Sequence, residues 1–164
     1  MPKFISQFED ISKLNEITPF RWLIQCKIKM PLTFSNRELI CCGTGIINKE
    51  DKSILLCFKS VDSVLGVNVP EEKSSHKRIE LVYGFYHIQY NSDNSYTITN
   101  CLNVDPKIPI IPWFILNKCI KESTYYIMDG LRNQINNKKA KEVYIQRIKE
   151  KEEFYQKLKE YLVI

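Results

Sequence analysis

Between Phe20 and Met30 apolar and polar residues alternate. Phe20, Trp22, Ile24, Cys26, Ile28 and Met30 fall on one side, and Arg21, Gln25, Lys27 and Lys29 on the other. A period of two with one apolar side is the pattern of a half-buried strand, and Leu23 is the position that breaks it. Glu38 to Ile47 and Ser53 to Val61 read as two more strands, joined by the polar stretch Asn48-Lys49-Glu50-Asp51-Lys52 into a hairpin. Lys77 to Tyr90, rich in aromatic and β-branched residues, pairs with Tyr96 to Val104 across the turn Asn91-Ser92-Asp93-Asn94. A shorter strand is expected over Phe8 to Leu14, closed by Thr18-Pro19. Asp62 to Ser75, with Gly66, Pro70 and a charged patch, reads as irregular, and Pro31 to Asn36 as a loop carrying Leu32 and Phe34.

At Asp105-Pro106 and Pro109 the period changes. Pro112 suits a first helical turn, and Trp113, Leu116, Ile120, Ile127, Leu131 and Ile135 then recur at helical spacing, which predicts one long amphipathic helix to about Asn137. Gly130 weakens it by about 1 kcal/mol relative to alanine. Lys138 to Ile164 is a second helix or a continuation of the first, with Tyr144, Ile148, Tyr155, Leu158 and Leu162 forming a stripe that Lys151 interrupts. So thin a stripe does not hold a lone helix in water, so this tail is expected to pack on the domain or on a partner chain.

Composition narrows the function classes. The chain has 164 residues, 44% apolar and 26% charged, enough for one domain with a core. Five glycines leave no room for a glycine-rich nucleotide loop. The formal charge of +5 is mild, and in the tail Lys138, Lys139, Lys141, Arg147, Lys149 and Lys151 alternate with Glu142, Glu150, Glu152 and Glu153. Mixed signs of this kind mark a solvated helix face, and no nucleic-acid binding is expected. The six cysteines form no CxxC pair, and neither His76 nor His87 stands at metal-ligand spacing to one. They read as small hydrophobes of a reducing compartment, cytoplasmic or mitochondrial, with no metal site. No run is long enough to span a bilayer, Ile108 to Ile120 being short and carrying two prolines. No secretory signal is expected from Met1-Pro2-Lys3-Phe4. Cys41 and Cys42 lack a histidine partner, His87 has no carboxylate beside it, and no catalytic residue is assigned, so the chain is expected not to be an enzyme.

Several strings, in order, carry a resemblance. Ser35-Asn36-Arg37-Glu38 before an apolar strand, Ser60-Val61-Asp62 at the end of the next, and Asn103-Val104-Asp105-Pro106 followed by Ile108-Pro109 and Trp113 resemble elements of the START (StAR-related lipid transfer) domain family. Glu38 stands where the family usually has Asp. The resemblance covers Phe8 to about Asn137 and corresponds to the C-terminal two-thirds of such a domain. The family's N-terminal helix and first strands are expected to be missing.

It implies an α+β helix-grip fold, an antiparallel sheet of about six strands packed on a long C-terminal helix; the helical tail that follows is not a feature of that family. Residues 1–137 would form the truncated START-like domain and 138–164 the charged amphipathic tail. By the same resemblance the chain would hold a lipid or sterol without catalysis and need no other cofactor. Trp22, Ile24, Cys26, Ile28, Phe34, Arg37, Trp113, Leu116, Ile120 and Ile127 are the candidate pocket and lid. The final strand pairs in the family with a strand this chain lacks, so a protein partner is expected at Tyr96, Ile98 and Leu102. A second partner surface is expected on the tail at Tyr144, Ile148, Tyr155, Leu158 and Leu162. The alternatives are an accessory structural subunit of a multiprotein complex, mitochondrial or cytoskeletal, with a vestigial pocket, and, more weakly, an aromatase/cyclase-like enzyme.

Overall fold

The computed structural model describes residues 8–30, 35–64, 66–72, 75–93, 95–108 and 112–162, without the side chains at positions 8, 113, 115, 116, 119, 120, 123, 124 and 162. Six strands form one sheet in the order β1 (Phe8–Thr18), β2 (Arg21–Ile28), β3 (Asn36–Asn48), β4 (Ser53–Ser60), β7 (His76–Tyr90) and β8 (Tyr96–Asp105). Between β4 and β7 the chain forms a miniature hairpin, β5 (Ser63–Val64) and β6 (Val67–Asn68). Three helices follow: α1 (Trp113–Asn136), α2 (Lys138–Glu150) and α3 (Glu152–Leu162).

Neighbours in the sheet run antiparallel, with one local exception. β4 stops at Ser60, opposite Cys41 of β3. Past that point nothing separates β3 from β7, and Asn36 to Leu39 pair with His76 to Ile79 in parallel. β4 is therefore a wedge between two longer strands that meet beyond its tip. The Ser60 hydroxyl closes the join by accepting from the Leu81 backbone N–H at 2.9 Å.

The sheet has two faces, and the hairpin covers one. Leu23, Ile40 and Cys42 are buried on it together with Val64, and Leu14, Ile17, Val61, Val67 and Val69 pack around them. Burying side chains of this size contributes roughly 1.5–3 kcal/mol each. This departs from the alternation pattern. The exception, Leu23, is 1% exposed, while Trp22, Ile24, Cys26 and Ile28 are only half-buried. The cause is the stretch from Asp62 to Ser75, expected to be irregular, whose hairpin brings valines over Leu23.

Beside this core lies a buried carboxylate. Glu38 takes a hydrogen bond from the Gln25 amide and two from Arg78, at 3.1 Å from Nε and 2.5 Å from Nη2. Arg78 Nη2 also donates to the Pro70 carbonyl at 2.7 Å, tying the segment after the hairpin to the sheet. Arg37 and Glu38, adjacent in a strand, face opposite ways and do not form an ion pair with each other.

β1, β3, β7 and β8 are longer than the pattern suggested, most of all β1, which runs on to Thr18 with shifts of register at Lys13/Asn15 and Glu16/Thr18. β2 and β4 are shorter, stopping at Ile28 and Ser60. Asn137 ends α1 and caps α2, its side-chain oxygen accepting from the N–H groups of Lys139 at 3.0 Å and Ala140 at 3.3 Å. The tail is two helices, because the backbone leaves helical geometry at Lys151 (φ −124°, ψ 36°). Acidic Glu152 and Glu153 in the first turn of α3 and Lys159 in its last suit the helix dipole. α3 packs back on its own domain: the Phe154 ring lies 5.5 Å from that of Phe20, and Lys49 Nζ stands 4.7 Å from the Tyr161 ring.

Removing Arg78 would leave Glu38 charged and buried without its cation. Arg78→Ala is expected to lower unfolding free energy by about 3 kcal/mol in urea titration, and Glu38→Gln, which keeps a hydrogen-bonding group and removes the buried charge, by distinctly less. Equal losses would show that shape alone matters there.

Candidate functional site

The side of the sheet away from the hairpin is the candidate site. Paired residues share a face, so the register places Trp22, Ile24, Cys26 and Ile28 of β2 beside Gly43, Cys41, Leu39 and Arg37 of β3. Leu56 and Phe58 of β4 continue this face, followed by Gly84, Tyr86 and Ile88 of β7 and Leu102, Asn100 and Ile98 of β8. The result is an apolar surface running across five strands. Two glycines let its side chains lie close to the sheet. A Cβ at Gly43 would come within 3.0 Å of the Phe58 ring, and one at Gly84 within 2.7 Å of Leu102. Phe58 in turn meets Tyr86 edge-on, ring centroids 6.1 Å apart.

Polar groups are sparse here and differ in their satisfaction. Burial pushes the Tyr86 phenol upward, against an opposing hydrogen bond with Asn100. Burial likewise raises the thiol of Cys41 to about 12 and that of Cys26 to about 11. Thiols held protonated in this way are poor nucleophiles and act as small apolar side chains. The Trp22 indole N–H is buried with no hydrogen-bond partner among the described residues, and Lys13 Nζ and Lys151 Nζ stand 5.3 and 5.8 Å from the ring. At the other end of the face, Arg37 is 3% exposed and donates to the carbonyls of Pro106 and Ser35 and to the Ser35 hydroxyl. Among the described residues no cluster of His, Cys, Asp or Glu is arranged to hold a metal, and no helix is long and apolar enough to cross a membrane.

The candidate residues distribute unevenly. Trp22, Ile24, Cys26, Ile28 and Arg37 come together on this face. Ile127 is half-buried in α1 with Met128 and Leu131, while Tyr125 and Tyr126 are exposed. Phe34 and the side chains of Trp113, Leu116, Ile120 and Leu162 lie outside the described residues. On the outermost strand, Tyr96, Ile98 and Leu102 turn to this same face; Ile98 is half-buried, and Tyr96 and Leu102 are exposed. In the tail Tyr144, Tyr155 and Leu158 are half-buried and Ile148 is exposed. Sequence reasoning missed Leu56, Phe58, Tyr86 and Ile88. Their signal was two glycines inside otherwise bulky strands, which mark places where another side chain crosses closely.

No family model matches the sequence, and no curated protein matches it. Solved structures do. Human STARD10 superimposes with a TM-score of 0.65 at 17% identity, covering 80% of this chain and 52% of that one. Human StAR-related lipid transfer protein 5 gives 0.69 at 12% identity, with 80% and 61% covered. A STAR-related lipid transfer protein fragment from Xanthomonas axonopodis gives 0.62 at 14% identity, with 82% and 71% covered. The chain thus spans about half of the first and three-fifths of the second. With its antiparallel six-stranded sheet and C-terminal helices, this chain has the α+β helix-grip fold of a START-like domain.

Proposed function

We propose that this chain is a non-catalytic lipid-binding module that holds a lipid or sterol against the apolar face of its sheet. One observation carries the reading: an apolar surface continuous across five strands, thinned by Gly43 and Gly84, in a START-like fold. A ligand of this class needs apolar walls and a few polar groups to orient its head. Trp22, Ile24, Cys26 and Ile28 are the wall on β2, and α1, with Ile127, is the lid. The names of the structural neighbours, StAR-related lipid transfer proteins among them, point the same way. The free cysteines among the described residues suit a reducing intracellular compartment, cytoplasmic or mitochondrial.

A second activity is proposed for the edge of the sheet. The two outer strands differ in charge. β1 carries Glu9, Asp10, Lys13 and Glu16, whereas β8 carries only Asp105. Tyr96, Leu102 and Val104 on β8 are 57%, 41% and 37% exposed. Edge strands are ordinarily guarded by charge, so a bare apolar edge suits pairing with a strand of a partner protein within an assembly. In this reading the lipid module works as a subunit, and an accessory structural role with an empty pocket is the limiting case.

Two experiments separate these readings. Native mass spectrometry of the gently purified chain is expected to show one lipid per chain. Ile24→Phe is expected to lower that occupancy severalfold with little loss of stability, because the added ring fills ligand space. If the face is instead a packed core, the same variant destabilises by about 1–3 kcal/mol and no lipid is found. For the edge, Tyr96→Lys combined with Val104→Lys is expected to shift the observed species from complexes to the free chain. An identical set of complexes before and after would remove β8 from the account.

A further inference from the structure

Arg37 is the most deeply buried cation of the described chain, and nothing acidic answers it. Its Nε donates to the Pro106 carbonyl at 3.1 Å, and its Nη1 to the Ser35 carbonyl at 2.5 Å and the Ser35 hydroxyl at 2.8 Å. All three acceptors are neutral. The carboxylates at this end of the sheet are engaged elsewhere. Glu38, the next residue, turns to the hairpin face and is held by Arg78. Glu9 binds His76 at 3.0 Å, and Glu80 and Asp105 share Lys107 at 3.1 and 2.8 Å. The residue in register with Arg37 on β7 is a second cation, Lys77, which has no ion pair among the described residues.

Like charges side by side in a sheet repel each other, and a buried charge without a counter-ion opposes folding unless something neutralises it. Hydrogen bonds to carbonyls orient a guanidinium but leave its charge in place. The two cations sit where the apolar face begins, Arg37 opposite Ile28 and next to Leu39 on its own side of β3. The three bonds of Arg37 use Nε and Nη1 and leave Nη2, a charged donor at the end of an apolar wall, to meet an oxyanion at the end of an acyl chain.

We propose that Arg37, assisted by Lys77, seats the acidic head of the bound ligand, so that the ligand is an amphiphile with a phosphate or carboxylate head and not a neutral sterol or glyceride. This rests on the lipid-binding reading above and narrows it to a ligand class. Arg37 touches the head directly; Ser35 and Pro106 position it.

The test compares the 164-residue chain with vesicles of digalactosyldiacylglycerol, whose head carries neither phosphate nor carboxylate, doped in turn with phosphatidic acid, oleic acid, diolein or cholesterol, followed by re-isolation and extraction. Inorganic phosphate without lipid is a further arm. Phosphatidic acid or oleic acid is expected to be retained at least about tenfold over diolein and cholesterol, with inorganic phosphate bound weakly or not at all. Arg37→Gln is expected to abolish that discrimination while leaving residual uptake of the neutral species, and Lys77→Gln to reduce it. Equal retention of acidic and neutral lipids by the unaltered chain, or discrimination surviving Arg37→Gln, would overturn the proposal and leave lipid binding intact. Phosphate bound as tightly as the acidic lipids would also overturn it, making the pair a site for a free anion. Retention of no lipid at all would remove the functional reading itself. If Arg37→Gln fails to fold, Arg37→Lys keeps the charge. It is expected to keep part or all of the discrimination, and complete loss of discrimination in that variant would contradict a seat made by the cation.

Discussion

The Glu38 carboxylate decides which side of the sheet belongs to the protein's own core. It is met by Gln25 from β2 and Arg78 from β7, and Arg78 reaches on to the Pro70 carbonyl. Three strands and the segment after the hairpin therefore converge on one charged group. A slip of one residue in β3 would send Glu38 to the apolar face and Arg37 under the hairpin, exchanging a paired charge for an unpaired one. Replacing such a pair with well-fitted apolar groups is often neutral for stability, but here it would erase that penalty for slippage. The placement of Leu23, Ile40 and Cys42 beneath the hairpin, and of Ile24, Cys26 and Cys41 on the other side, follows from the register this contact secures.

Once register is fixed, the two faces are closed by different means. The hairpin is local in sequence and brings its own valines, so the face beneath it is a packed core. The other face has its polar groups at the margins and glycine where side chains must lie flat. In the proposed function its cover is the long helix that follows β8. That division suits a molecule that keeps one side for folding and the other for a ligand. The tail then returns to the β1–β2 turn, where Phe154 meets Phe20, and Lys151, at the break between α2 and α3, stands by Trp22.

Much of this was legible in the chain. The alternation of β2, the polar turn before Ser53 and the helical spacing from Trp113 each reflect a period that local geometry imposes, and the helix ends one residue short of the expected Asn137. Alternation could not say which face would be the more buried, because that depended on a hairpin of two-residue strands too short to leave a period. The partner of Glu38 was hidden for a similar reason: Arg78 lies 40 residues away and is brought close by the parallel contact beyond the tip of β4. Arg37 was readable as a candidate, but that no described carboxylate pairs with it is a property of the folded sheet. The break at Lys151 appeared in sequence only as a gap in an apolar stripe.

The central claim is that the ligand lies against one face of the sheet and not the other, and methyl NMR tests it most directly. With isoleucine, leucine and valine methyls labelled, uptake of a phosphatidic acid is expected to perturb Ile24, Ile28, Leu39, Leu56 and Ile98 and to give contacts between them and the acyl chain. Leu23, Ile40 and Val64, beneath the hairpin, are expected to stay unchanged. Perturbation centred on Leu23, Ile40 and Val64, or no perturbation at either set under saturating lipid, would contradict the account.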